Sequence, residues 1–182
     1  MRSSLSQASS ASPLSKGTSA SRFISSRRTT AGYPETASGL FNINITSTVL
    51  DRIGADVRRP YERIGLLIGF MLDDGLWVND VVPAGNEDSE TMCVLSSDKL
   101  ARVADDIVRG KIDGRIIGWY HSHPGFGIFM SETDLDTHSR LLQFSQFVVA
   151  LVVDPETNEF GIWALDHAAG IVQVSNDRIR IV

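Results

Sequence analysis

The chain of 182 residues is 42% hydrophobic and 21% charged, the composition of one globular domain rather than of a fibre or a wholly disordered protein. Its one cysteine, Cys93, excludes a disulfide framework and a zinc site built from several thiolates within the chain. No segment approaches the roughly 18 consecutive apolar residues that span a bilayer, so we expect a cytoplasmic protein that does not enter the membrane.

Charge divides the chain into two unlike parts. Five basic residues and no acid precede Glu35, which leaves 12 of the 17 basic residues against all 22 acidic ones from there onward, a net charge of −10. Residues 1–38 hold few large apolar side chains and are predicted to be a flexible, basic, Ser-rich tail, with an organelle transit peptide as the alternative. Residues 39–182 form the predicted domain, whose charge disfavours nucleic acid and favours a basic partner.

Hydrophobic periodicity predicts the first elements of this domain. A strand over residues 41–45 precedes a helix in which Val49, Ile53 and Val57 recur at near-helical spacing before Pro60. A hairpin follows, with strands over residues 64–71 and 76–82 around the turn 73–75. A loop over residues 83–91 leads onward.

The second half alternates helices and strands. A helix capped by Ser96 or Ser97 carries one apolar stripe and stops at Gly110. The pattern continues with a strand over residues 115–121, a helix over 132–145 and strands over 147–153 and 160–165. It ends with two short strands near 171–174 and 178–182. The sequence therefore predicts an α/β fold with a mixed central sheet and helices packed outside it.

One short segment carries the residues best suited to metal chemistry. His121 and His123 are alternate residues of a strand end, so both imidazoles can face one point and bind zinc, although a His-x-His pair can also be one packed and one solvated residue. Ser131 and Asp134 have the spacing of a helix cap, which would hold Asp134 where it could complete a metal site. Glu62, at the start of an apolar strand, is the candidate general base or else a solvated strand end.

Other candidates have weaker support. The loop 125–130 exposes apolar groups beside a Gly-rich backbone, which suits either an extended peptide or a plug over the core. His138 and His167 lack partners at ligand spacing and are expected at the surface or in packing, and Cys93 is expected in the core.

Three features occur together in this chain: Glu62, the run Gly-Trp-Tyr-His-Ser-His-Pro-Gly-Phe-Gly over residues 118–127, and Ser131-x-x-Asp134. In this combination the sequence resembles the JAMM, or MPN-plus, metallopeptidase family. The residues of these motifs are most similar to those of the deubiquitinase of the proteasome lid and the deneddylase of the signalosome. The resemblance covers residues 41–165 and implies a single cytidine-deaminase-like MPN domain, a curved mixed sheet flanked by helices.

The resemblance also implies a function. It suggests a zinc isopeptidase that cleaves the bond between the C-terminus of ubiquitin, or of a ubiquitin-like modifier, and a substrate lysine. His121, His123 and Asp134 would bind one Zn²⁺, Glu62 would activate water and later protonate the amine, and Ser131 would hydrogen-bond the oxyanion. Implied partners are ubiquitin-like conjugates and the proteasome, with no nucleic acid and no membrane.

The sequence departs from the family in three respects. Phe129 replaces a tryptophan of the lid and signalosome enzymes, the loop 83–91 is short and acidic, and the chain ends soon after the core, as in a compact archaeal or stand-alone member. A non-catalytic MPN scaffold, or a JAMM hydrolase acting on a sulfur carrier or another peptide, remains an alternative.

Overall fold

The structure is a computed structural model that describes residues 40–59, 61–84 and 95–182. Over these residues the chain forms three α-helices, a short 3₁₀ helix (Asn176–Arg178) and one sheet of eight strands. The predicted tail, Pro60, Cys93 and residues 85–91 of the predicted loop lie outside the described residues, and the predictions made for them stay predictions.

The sheet is mixed, as the sequence predicts. Its strands run in the spatial order β7-β6-β5-β4-β2-β3-β1-β8. Their bounds are β1 (Ile43–Ile45), β2 (Ile64–Leu72), β3 (Gly75–Pro83), β4 (Arg115–Ser122), β5 (Val149–Asp154), β6 (Glu159–Asp166), β7 (Gly170–Gln173) and β8 (Ile179–Ile181). The central strand β2 is antiparallel to both β3 and β4, whereas β4 and β5 are parallel and β1 is parallel to both of its neighbours.

Helices cover both faces of this sheet. Helix α1 (Ser47–Val57) buries Val49 and Ile53 in one apolar core, which also holds Tyr120. Helices α2 (Ser97–Val108) and α3 (Glu132–Leu142) contribute to a second core with Trp119 on the opposite face. The predicted arrangement of helices outside a mixed sheet is therefore confirmed. Of the helices in the described ranges, none is long and apolar enough to cross a membrane.

Local sequence signals set most helix ends. Thr46 caps α1 and Ser96, one of the two predicted residues, caps α2 through its side-chain oxygen. The predicted helix 132–145 is wrong at its end, because α3 stops at Leu142. The Gln143 and Phe144 amides donate to carbonyls three residues back, which tightens the chain into a turn that leaves Phe144 exposed.

The pairing of β2 with β4 decides which side chains face which core. Ile64 lies opposite His121 and Gly65 opposite Tyr120. A Cβ atom on Gly65 would lie 2.2 Å from Cε1 of Tyr120, so glycine is required for the Tyr120 ring to lie across β2. Alternation then directs Tyr120 towards α1 and directs His121 towards the face of α2 and α3.

Candidate metal centre

The two predicted histidine ligands lie together where β4 ends. His121 is in the strand and His123 directly follows it, and each is 5% exposed. Their Nε2 atoms are 3.1 Å apart. Because the residues alternate along an extended chain, both rings reach the same side of the sheet, as the sequence predicts.

Asp134 joins them from the first turn of α3. Ser131 caps this helix in a capping box, in which its Oγ accepts from the Asp134 amide at 3.2 Å and its own amide donates to Asp134 Oδ2 at 2.8 Å. The Ser131 hydroxyl also donates to that oxygen, at 2.6 Å. Oδ2 then lies 3.2 Å from Nε2 of His121 and 3.4 Å from Nε2 of His123.

The triangle of donor atoms has the dimensions of a zinc site. Ligand atoms held about 2.05 Å from a tetrahedral ion are about 3.3 Å apart, and the three separations here run from 3.1 to 3.4 Å. Two imidazole nitrogens and one carboxylate oxygen are also ligand types that zinc accepts while leaving a fourth position open. The residues present therefore fit a zinc ion with one coordination position left open.

Burial and proximity shift the pKa values of these groups in opposite directions. Burial lowers the pKa of His121 despite its contact with Asp134, which keeps the ring in the neutral form that binds metal. Burial opposes ionisation of Asp134, yet hydrogen bonds from His121 and His123 outweigh it and hold the pKa of the carboxyl below its usual range. The centre therefore offers a neutral His121 imidazole and an ionised Asp134 carboxylate.

Glu62 lies at the margin of this centre. It is exposed and directly precedes Arg63. The Arg63 carbonyl accepts a hydrogen bond at 2.9 Å from the amide of Ser122, the residue between the two histidines. The negative charge of Glu62 is one of the influences that favour the protonated form of His121, after the larger effect of Asp134. The structure therefore brings all five predicted site residues to one region, with Glu62 on its solvent side.

Aromatic rings support the two histidines. Trp119 stacks on His121 with ring centroids 4.6 Å apart and an interplanar angle of 12°, and Phe129 lies 4.6 Å from the His123 ring. The Trp119 indole donates to Nδ1 of His138 at 3.3 Å. His138 is fully buried in α3 and His167 is exposed, so the packing and surface roles expected for them are confirmed. Trp119 is not among the predicted site residues, although its alternation with His121 is a usable signal.

The loop that follows the histidines is held by a buried carboxylate. Asp154, 1% exposed at the end of β5, accepts from the amides of Gly125 at 3.1 Å and Gly127 at 3.0 Å. The side chain of Phe126, between these glycines, is 74% exposed, which is inconsistent with a plug over the core at that position. The sequence predicts only a turn at Asp154, because nothing local links positions so far apart.

A model of the family described as JAB1/Mov34/MPN/PAD-1 ubiquitin protease matches residues 38–146 of the chain. Among similar proteins, "Ubiquitin carboxyl-terminal hydrolase RPN11" of Saccharomyces cerevisiae is 37% identical over 99 residues, which are 53% of this chain and 32% of that protein. "COP9 signalosome complex subunit 5" of Yarrowia lipolytica is 32% identical over 119 residues, 63% of this chain and 34% of that protein.

A third similar protein carries a different name. "NAD(+) hydrolase TcpA" of a Theionarchaea archaeon is 33% identical over 97 residues, 53% of this chain and 28% of that protein. The chain thus spans about a third of the length of each of these relatives.

A solved structure agrees with the fold. The solution structure of protein DSY2949 from Desulfitobacterium hafniense superposes with a TM-score of 0.60 at 19% identity, over 77% of this chain and 92% of that one. At this identity the likeness concerns the architecture alone.

Proposed function

The chain belongs to the JAB1/Mov34/MPN/PAD-1 family, and from this premise we propose that it is a zinc-dependent isopeptidase that hydrolyses the bond between the C-terminus of ubiquitin, or of a ubiquitin-like modifier, and a substrate lysine. One observation carries the proposal, namely the triangle of His121, His123 and Asp134 donor atoms with tetrahedral zinc dimensions. A scaffold has no need of three ligand atoms converging in this way.

In this proposal His121, His123 and Asp134 hold the ion, which supplies the Lewis acidity that activates water towards an amide carbonyl. Glu62 takes the proton from the attacking water and returns it to the departing lysine amine, so that proton transfer balances over the reaction. A positioned base of this kind contributes about 10²- to 10⁴-fold. The exposed position of Glu62 agrees with a role in exchanging protons with substrate and solvent.

Ser131 is proposed to stabilise the oxyanion that develops on the carbonyl oxygen. Its hydroxyl proton is donated to Asp134 Oδ2 in the structure. The role therefore requires the hydroxyl to turn from Asp134 towards the substrate during the reaction, and Ser131 also keeps its structural role as the cap of α3.

The exposed loop beside the histidines is proposed to contact the modifier. Phe126 and Phe129 present apolar surface at one side of the centre, where an extended C-terminal peptide can lie. The net negative charge from Glu35 onward favours a basic peptide. One relative is named as a ubiquitin hydrolase and another as a signalosome subunit. These names support ubiquitin-like conjugates as partners of this chain, and by extension the proteasome.

The test compares two isosteric substitutions. Glu62→Gln is expected to retain about one zinc per chain and to lose cleavage of a ubiquitin-lysine conjugate, by roughly 10²-fold or more. Asp134→Asn is expected to lose both zinc and cleavage. Full activity in Glu62→Gln would contradict the assignment of the base.

The same assay separates the alternatives by substrate. Zinc binding with cleavage of a sulfur-carrier conjugate, but not of ubiquitin, would identify a JAMM hydrolase of different specificity. Zinc binding without cleavage of either would favour a scaffold, and absence of zinc in protein purified with the metal would contradict the proposal altogether.

A further inference from the structure

A buried polar network lies on the face of the sheet opposite the metal centre. Asp56 of α1 accepts from Nη2 of Arg63 at 2.8 Å and from Nε of Arg63 at 3.2 Å, both on Oδ1. Its other oxygen accepts from the Tyr120 hydroxyl at 2.8 Å. The Arg63 side chain is 4% exposed and that of Asp56 9% exposed, so this ion pair is shielded from water.

Arg63 is tied to the metal centre through its backbone. Its amide donates to Oγ of Ser122 at 2.9 Å, and its carbonyl accepts from the Ser122 amide at 2.9 Å. Ser122 is fully buried and stands between His121 and His123. Arg63 is thus joined to α1 by its side chain and to the two histidines by its main chain.

Glu62 depends on these contacts because it stands outside the strand. Strand β2 begins at Ile64, so the hydrogen-bonded ladder does not by itself fix the residue two positions earlier. Successive side chains of an extended segment alternate, which sends Arg63 to the face of α1 and Glu62 to the face of the histidines. Anchoring Arg63 on one face therefore fixes the direction of Glu62 on the other.

We propose that Asp56, with Arg63 and Tyr120, positions Glu62 over the metal centre, so that a network on one face of the sheet sets the catalytic geometry on the opposite face. This inference rests on the proposed function of Glu62. Asp56 touches neither substrate nor metal and is a positioning residue. Loss of its charge removes the ion pair that holds the Arg63 side chain against α1, so the backbone of Arg63 shifts and Glu62 shifts with it.

The experiment uses the full chain loaded with zinc and three variants. Asp56→Asn removes the counter-charge, Tyr120→Phe removes one hydrogen bond to Asp56, and Asp80→Asn is the matched control. Asp80 lies in β3 and forms an ion pair with Arg52, which belongs to the same helix as Asp56. Both side chains of this pair are exposed. The readouts are kcat and KM for a ubiquitin-lysine conjugate, zinc per chain, and hydrogen exchange of the Arg63 and Ser122 amides.

Displacement of a catalytic group by about 1 Å costs about 10²-fold in rate, so Asp56→Asn is expected to lower kcat by roughly 10- to 100-fold. KM and zinc content stay as in the wild type, because the side chains of the three ligands are held by contacts with Trp119, Phe129 and Ser131, which lie outside the network. The Arg63 and Ser122 amides exchange faster in Asp56→Asn and at the wild-type rate in Asp80→Asn. Tyr120→Phe shows the same changes at smaller size.

Unchanged kcat in Asp56→Asn, or unchanged exchange of both amides, would overturn the proposal. A loss of kcat that merely follows a loss of zinc would overturn it as well. If Asp56→Asn fails to fold, Tyr120→Phe decides. If the wild type cleaves no conjugate, the proposed function fails, whereas the exchange rates still show whether Asp56 holds the segment at Glu62.

Discussion

At the scale of single residues, the contacts of the metal centre meet at one carboxylate oxygen. Oδ2 of Asp134 lies within 3.4 Å of four nitrogen or oxygen donors, two from Ser131 and one from each histidine. Such a crowded carboxylate oxygen stays ionised, since every neighbour favours its negative charge. Ser131 therefore contacts both the end of α3 and the carboxylate of the candidate ligand Asp134.

Substitution of Ser131 should show how much its role at the helix end contributes to stability. Ser131→Ala removes the N-cap oxygen of α3 and is expected to lower the free energy of unfolding by about 1 kcal/mol, measured by urea denaturation of the zinc-free protein. Ser131→Thr retains the cap oxygen and should lose only a fraction of that. An equal loss in both variants would show that the cap hydrogen bond is not the source of the stability.

At the scale of elements, α3 supports β4 through His138. Its Nδ1 accepts the Trp119 indole hydrogen, and Trp119 stacks on His121, so a helix residue fixes the ring that packs against a candidate ligand. Burial lowers the pKa of His138 to about 4. The ring is therefore neutral in the folded chain at about pH 5, where the same ring in the unfolded chain is mostly protonated.

This depressed pKa predicts a pH-dependent stability. The unfolded state binds more protons than the folded state between pH 6.5 and about 4, so the contribution of His138 is fully present above pH 6.5 and lost as the pH falls through that window. His138→Gln retains an acceptor for Trp119 but cannot titrate. Between about pH 7 and pH 5 the wild type should lose about 2 kcal/mol more unfolding free energy than this variant. Parallel pH profiles for the two proteins would contradict the prediction.

The loop after β4 offers a second prediction about an element. Asp154→Ala removes the acceptor of the Gly125 and Gly127 amides and should raise KM for a ubiquitin-lysine conjugate several-fold, because Phe126 is no longer held. Asp166→Ala is the matched control, since Asp166 is also buried and accepts backbone amides, from Ala168 and Ala169, at the end of β6. Both variants should lose stability. An unchanged KM in Asp154→Ala, or an equal rise in both variants, would refute the assignment.

The sequence predicts those elements whose signals are local. Alternation along one strand places His121 beside His123, and the spacing of Ser131 and Asp134 is that of the capping box that the structure contains. Tyr120 and Asp56 are 64 positions apart and meet only after α1 docks on the sheet, so no spacing rule finds their contact. The end of α3 is likewise beyond a local rule, because helical periodicity continues past the turn that stops the helix at Leu142.

At the scale of the whole molecule, the centre joins separate parts of the fold. The histidines belong to the end of β4, Asp134 to α3, and Glu62 to the segment before β2. The three donor atoms meet only while α3 is packed on the sheet face that holds Trp119. An ion bound by all three therefore binds the folded state in preference to the unfolded one, and its binding free energy adds to that of folding.

Zinc should consequently stabilise the whole chain. At a free concentration about 100 times the Kd the gain is about 2.7 kcal/mol, which corresponds to a rise in Tm of roughly 5–10 °C for a domain of this size. Differential scanning calorimetry with and without a chelator measures it. Glu62→Gln should show the full rise, because Glu62 is not one of the three proposed ligands, and Asp134→Asn should show little. An equal rise in Asp134→Asn and the wild type would mean that the ion binds elsewhere, because this variant lacks the ionised oxygen ligand that closes the triangle.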